Sequence, residues 1–411
     1  MPYLFALTLV LAPTYAIRFG FFGLPTNMLM VWIFLVWVVF AVWIVCRHRV
    51  SNFFNWLYSE VPTSYFLLPT FFLIAGVASL FVGGFSEEKL GQFVVLFLQP
   101  IGTFFIGRYV FIHDSRLQTG NWLVRAALFF VGLSGLYAIL QYFTLIGVPV
   151  AWWGNAQEPK RAVAFFLHPN FYALFVTQLL AFLVPIIALR LQGRGESIKQ
   201  KPSVISLYPL PSTLYPLVAW SLGAIGLLLS LSRGGWLGLI AAIGVYVLIV
   251  GNRAHLKRAA VLFAIALIVV LAIPNFRYRV LLPFRGEKSS VARFSLWNTG
   301  WKMVKDDPIS GKGLLGFSNN WYAYNTDPGL EHYPAPHNIV LNFWVDTGIF
   351  GLISFFGLVV LAVVRGIKER SNAYKLGLLL AGVALVVHGL VDIPYFKNDL
   401  ALVFWLLYSF I

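Results

Sequence analysis

The chain has 411 residues, of which 59% are hydrophobic and only 11% charged, and its mean hydropathy is +0.80. A soluble domain carries about 25% charged residues, so the composition excludes a cytosolic enzyme, a disordered chain and a disulfide scaffold. It leaves an all-α polytopic membrane protein, because long continuous apolar blocks also exclude the alternating strands of an outer-membrane barrel. The net charge of +15 belongs to loops, where Lys and Arg set membrane orientation, and does not call for nucleic acid. The single cysteine, Cys46, has no internal partner for a disulfide.

A bilayer core needs about 20 apolar residues per helix. Blocks between polar breaks fall at 2–17, 27–46, 65–83, 90–111, 122–143, 170–189, 214–231, 235–250, 259–273, 338–364, 376–391 and 399–411. These are twelve candidate spans, or eleven if one of the short blocks (first, ninth, last) is not a span. Residues 1–17 lack the basic region and cleavage site of a removable signal and read as a first span. With the N-terminus cytoplasmic, inner segments carry 15 Lys and Arg and the short outer ones 6, which supports that orientation. The long connection 274–337 is then an outer loop. No internal repeat is evident, which disfavours an inverted-repeat transporter.

That loop has order of its own. Val291, Phe294, Trp297, Trp301 and Val304 recur at helical spacing among Arg293, Lys302 and Lys305, the pattern of a helix lying in the headgroup layer. Gly311, Gly313 and Gly316 mark a mobile or tightly turned stretch. Trp321, Tyr322, Tyr324, His332 and Tyr333 follow. They suit a sugar-binding surface or an interfacial aromatic belt, and both readings stay open.

Three polar residues stand out because this topology carries them to one leaflet boundary. Arg161 lies in the outer connection before the 170–189 block, Arg233 in the short turn Leu231-Ser232-Arg233-Gly234-Gly235, and His337 in Pro334-Ala335-Pro336-His337-Asn338. Arginine's planar fork suits phosphate, and a histidine suits proton transfer. The glycines after Arg233 offer backbone N–H groups to an anion near a helix start. Snorkelling anchors would explain the arginines, and a structural role would explain His337, with Asn338 as a helix cap. No HExxH, DxD or clustered acidic set suggests a metal.

Taken in order, Arg161 with the His168-Pro169-Asn170 that follows, Ser232-Arg233-Gly234, Arg293-x-x-x-Trp297, the Gly311-x-Gly313 loop, Pro336-His337-Asn338, Asp346-Thr347-Gly348 and His388-Gly389 with Asp392 resemble the O-antigen ligase and polymerase family. The resemblance runs over about 120–400 in layout. His168 stands where the family pattern has Asn, and Asp346 where it has Glu. The resemblance implies a GT-C-like, all-helical glycosyltransferase in the cytoplasmic membrane with its active site on the extracytoplasmic side. Its donor would be a glycan on a polyprenyl diphosphate, commonly undecaprenyl, and its acceptor a sugar hydroxyl on another glycan or lipid-linked saccharide, with no metal or other cofactor. His337 would be catalytic, Arg161 and Arg233 would bind the diphosphate, and Asn170, Arg293, Trp297, Asn338, His388 and Asp392 would support them. The competing class is a flippase of lipid-linked oligosaccharides. Transporters concentrate ionisable groups near the midplane, whereas these candidates sit at outer helix ends.

Overall fold

A computed structural model describes residues 1–21, 24–48, 50–60, 64–113, 118–155, 158–191, 214–282 and 288–411. The chain is helical nearly throughout, and each of the twelve apolar blocks contains a helix. Their lengths support seven of the twelve expected spans. Among the described residues, seven helices are long and apolar enough to cross a membrane: Met28–Cys46, Glu87–Phe111, Asn121–Thr144, Pro169–Leu191, Arg233–Val250, Arg253–Ala272 and Ile339–Lys368. The other five apolar helices, Tyr3–Ala16, Phe66–Phe81, Leu214–Leu229, Ala373–Gly389 and Asn398–Tyr408, are shorter. At 1.5 Å rise per residue, these fall short of a full hydrocarbon core. The expected outer segment 18–26 holds a small antiparallel hairpin, Arg18–Phe21 paired with Leu24–Asn27.

Two compact units divide the chain. The first comprises Met1–Leu123, Ala292–Ala362 and Gly389–Ile411. Its interior is aromatic: Phe343 stacks on Phe355 at 4.1 Å between centroids, and Phe72 packs on Phe97 at 4.9 Å. The buried Tyr395 hydroxyl donates to the Leu96 carbonyl at 2.6 Å and accepts from the Trp405 indole at 3.0 Å. Burial of a tyrosine hydroxyl requires such partners, and these fix the turn that also carries Asp392.

The Ile309–Phe317 stretch is packed in this unit. Lys312 N–H donates to Val345 O at 2.6 Å, Leu314 N–H to Ser79 O at 3.2 Å, and Ile349 N–H to Ile309 O at 3.1 Å. Gly348 breaks the Ile339–Lys368 helix with φ 67°. A side chain there would collide with the Ile309 carbonyl, and one at Gly311 with the Val345 carbonyl. The two glycines thus let two backbones meet, with the freed amides of the kink bonded across. Burial opposes the charge of Lys312, but hydrogen bonds to Asp307 and Tyr324 outweigh it and hold the ammonium pKa above the ordinary lysine value.

The helix Lys288–Asp306 divides its stripe, burying Val304 and part of Trp297 and leaving the rest on the surface. Leu296, Met303 and Val304 are buried with Phe317, Trp321 and Val345, and Trp297 packs partly against them. Val291, Phe294 and Trp301 point outward and are exposed. Of the loop aromatics, Trp321 is core and Tyr322 is 85% exposed.

The second unit comprises Val124–Val291 and Val363–His388. Pro169–Leu191 is its central helix, buried along most of its length. Neighbouring helices approach closely at small residues: a side chain at Gly135 would meet the Leu222 carbonyl, and one at Gly226 the Tyr172 hydroxyl. Membrane helices pack this way because lipid supplies no hydrophobic drive between them. Among its described residues, Arg253–Ala272 has none buried, so its apolar side chains suit a lipid surround.

Candidate active site

In the second unit, the connection to Pro169–Leu191 is held from within. Gln141 is fully buried. Its side-chain oxygen accepts from Val163 N–H at 3.1 Å and Ala164 N–H at 2.7 Å, and its amide donates to Ala164 O at 3.0 Å. Ala164 takes φ 48°, so the chain reverses just after Arg161. Arg161 Nε donates to Ser230 O at 2.8 Å, and its Nη2 donates to Asn170 Oδ1 at 2.8 Å. Its guanidinium lies 5.3 Å from the Trp152 ring centroid. These contacts tie Arg161 to protein rather than leave it snorkelling.

His168 replaces the expected Asn without loss of the local job. Its Nδ1 accepts from Asn170 N–H at 3.0 Å, which caps the start of the Pro169–Leu191 helix as an Asn oxygen would.

The carbonyl that Arg161 holds belongs to the turn carrying Arg233. Leu231 has φ 53°, Ser232 precedes the helix, and Arg233 is the first residue of Arg233–Val250. No side chain caps that helix start. The turn is more closed than its glycines suggest: Gly234 and Gly235 are buried, while Arg233 is half-buried. The structure therefore brings Arg161, Asn170 and Arg233 to one turn. It adds Arg279, whose Nε donates to Leu231 O at 3.0 Å. Its only sequence signal is the Arg277-Tyr278-Arg279 pair at the head of the long loop.

The first unit holds the other set. His337 adopts φ 49°, a left-handed conformation in which His is enriched. Its Nδ1 lies 3.1 Å from Asp392 Oδ1, with the histidine side chain 27% exposed and the aspartate 5%. A carboxylate oxygen accepts, so Nδ1 is the donor, and in the neutral ring that tautomer leaves the lone pair on Nε2. Asp392 is itself oriented by Ile393 N–H at 2.9 Å. The Tyr333 ring meets His337 edge-on at 5.8 Å, and Trp297 donates to the His337 carbonyl at 3.4 Å.

Asn338 caps the Ile339–Lys368 helix, accepting from Val340 N–H at 3.0 Å and Leu341 N–H at 3.1 Å, and its amide donates to Leu390 O at 3.1 Å. Arg293 Nε donates to Val391 O at 3.0 Å. Arg293, Trp297, His337, Asn338 and Asp392 thus form one set, joined through the 390–393 turn. His388 is buried in the second unit at the end of Ala373–Gly389. Gln141 escaped the sequence reading, since it stands in no recognisable motif, and Tyr333 entered it only as one of the loop aromatics.

Residues 218–356 match the O-antigen ligase family. The resemblance read from the motifs holds. The matched region includes Arg233, Arg279, Arg293, Trp297, His337 and Asn338, while Arg161, Asn170, His388 and Asp392 lie outside it. A protein of Haemophilus influenzae, described as uncharacterized, is 24% identical over 207 residues. That match covers 46% of this chain and 52% of the relative, so the alignment spans about half the relative's length. The family match and the long apolar helices agree with a multi-pass membrane protein.

Proposed function

We propose that this chain is a GT-C-like membrane glycosyltransferase that moves a glycan from a polyprenyl diphosphate, such as undecaprenyl diphosphate, to a sugar hydroxyl of a growing cell-surface glycan. It works at the extracytoplasmic side of the cytoplasmic membrane. The observation that carries the reading is the His337–Asp392 pair, whose histidine stands in the O-antigen ligase region. Asp392 holds the tautomer that leaves Nε2 as a base, the arrangement by which a carboxylate orients a catalytic imidazole.

The acceptor O–H gives its proton to Nε2 as its oxygen attacks the anomeric carbon. The bond from that carbon to the diphosphate oxygen breaks, and the electron pair leaves with the diphosphate. Attack opposite the leaving group inverts the anomeric centre. Arg161 and Arg233 stabilise the charge that grows on the diphosphate, the task a divalent cation performs in other transferases. Asn170 orients Arg161. Arg293, Trp297 and Asn338 hold the His337 loop, and His388 is a supporting residue of the second unit.

The test uses purified protein in liposomes with polyprenyl-diphosphate glycan and acceptor. Transfer gives a new glycosidic bond and free polyprenyl diphosphate. Donor that crosses the bilayer without bond formation would identify a flippase instead. The side is tested with Tyr322→Cys in a Cys46→Ser background and an impermeant thiol reagent. Labelling should occur from outside, and labelling only after the inner face is opened would remove the enzyme from exported substrates.

A further inference from the structure

The proposed reaction uses one face of the helix Lys288–Asp306 and leaves the other without a task. On the used face, Trp297 donates to the His337 carbonyl. The other face carries Phe294, Asn298, Trp301 and Lys305, all exposed and spaced three or four residues apart. Phe294 is 67% exposed, and Ile309, just past the helix, is 66% exposed. Lys305 lies over Trp301, its ammonium 5.8 Å from the ring centroid.

This face runs on into the surface of a membrane span. Trp301 meets Trp344 edge-on at 6.0 Å. Trp344 belongs to Ile339–Lys368, which is long and apolar enough to cross a membrane, and its indole donates to the Pro308 carbonyl at 2.7 Å. The next carbonyl, that of Ile309, accepts from Ile349 N–H at 3.1 Å, beside Phe350. Phe350 and Ile353 are exposed and line an apolar groove with Phe71 and Ile74, a surface suited to lipid. These contacts link Trp301, Trp344, Ile309 and Phe350 into one strip, with Phe294 two turns back along the helix.

Water alone does not account for this strip, because soluble surfaces rarely gather large apolar groups. Hydrocarbon does not account for it either, because Asn298 and Lys305 share the face and would lose their water there. The headgroup layer accepts both. Indole rings favour that depth, and a lysine stem can lie on an aromatic ring while its ammonium reaches water or phosphate. Asp306 and Asp307 follow Lys305, so apolar contact rather than lipid charge drives the docking. We propose that the outward face of residues 292–306, with Trp344 and Ile309, is a membrane-docking surface seated in the headgroup layer of the bilayer that Ile339–Lys368 crosses. Through Trp297 the docked helix holds His337 at a fixed depth, whatever reaction His337 serves.

The test uses the full-length protein, with Cys46→Ser, in phosphatidylcholine vesicles. Nitroxide labels are placed at Phe294→Cys and Ile309→Cys, at Phe350→Cys as a lipid reference, and at Glu331→Cys, an exposed loop position, as a water reference. Oxygen concentrates in lipid and a nickel chelate in water. The ratio of their relaxation effects should be several-fold higher at Phe294→Cys and Ile309→Cys than at Glu331→Cys, and lower than at Phe350→Cys. A ratio at Phe294→Cys equal to that at Glu331→Cys would put the face in water and overturn the proposal. A ratio equal to that at Phe350→Cys would sink the helix into hydrocarbon and reject the headgroup depth. Protection of Phe294→Cys from both reagents would mean that protein covers the face, a second copy or another chain, and would overturn the proposal equally. If Phe350→Cys itself reads as water, the span fails first and the docking surface has no membrane.

Discussion

The two units solve opposite problems. His337, the proposed proton-transferring group, is held through contacts remote in sequence: Asp392 lies 55 residues away, and the 390–397 turn is pinned by Tyr395 to Leu96 across 299 residues. Around Arg233 the protein gathers fixed charges, and it does so with backbone carbonyls of a single turn. A base needs its tautomer and direction specified, which takes a carboxylate with its own supports. A permanently charged guanidinium needs only position, which a carbonyl supplies. The first site should therefore fail through chemistry and the second in graded steps of charge.

The largest effect should come from His337→Ala. We expect kcat to fall about 10²- to 10⁴-fold, with donor KM little changed, measured by product formation in liposomes. Full activity would remove the base. Asp392→Asn should follow, with a loss in kcat of about 10²-fold or more, because an amide can donate to Nδ1 and hold the wrong tautomer. Equal losses in kcat and donor affinity would instead mean that the turn had collapsed.

Arg161→Lys and Arg233→Lys should each lower kcat/KM about tenfold, since a point charge lacks the bidentate fork. A lysine variant with wild-type rates would reduce the arginines to simple cations. Gln141→Leu tests the scaffold rather than the charge. It leaves Val163 and Ala164 amides unpaired inside the second unit and should cost about 1–3 kcal/mol per lost partner, read as an earlier thermal transition. Transfer should be least affected by chelation: EDTA should leave the rate unchanged, and specific rescue by Mg²⁺ or Mn²⁺ would put a metal at the diphosphate.

Much of this was legible in the chain. The apolar blocks announced their helices because burial in lipid demands continuous apolarity. The Asn338 cap was legible because capping is local. The kink at Gly348 was not, because it depends on Ile309 and Gly311 arriving at Val345, contacts that no window of sequence contains. For the same reason the Lys288–Asp306 helix turned its Leu296–Val304 side inward and left Phe294 and Trp301 out. Periodicity gives a stripe, but the partner surface decides which stripe is covered.

By itself the sequence determined an apolar, all-helical chain with a resemblance to the O-antigen ligase family, and Arg161, Arg233 and His337 as its unusual polar residues. Hydrophobicity and short motifs are properties of neighbouring residues and survive without coordinates. Only the tertiary structure decided that Asp392 sets the His337 tautomer, that Gln141 shapes the Arg161 loop, and that Arg279 joins the Arg233 turn. Each of these is a hydrogen bond of a few ångströms between segments tens of residues apart, and its geometry exists only once the helices have packed.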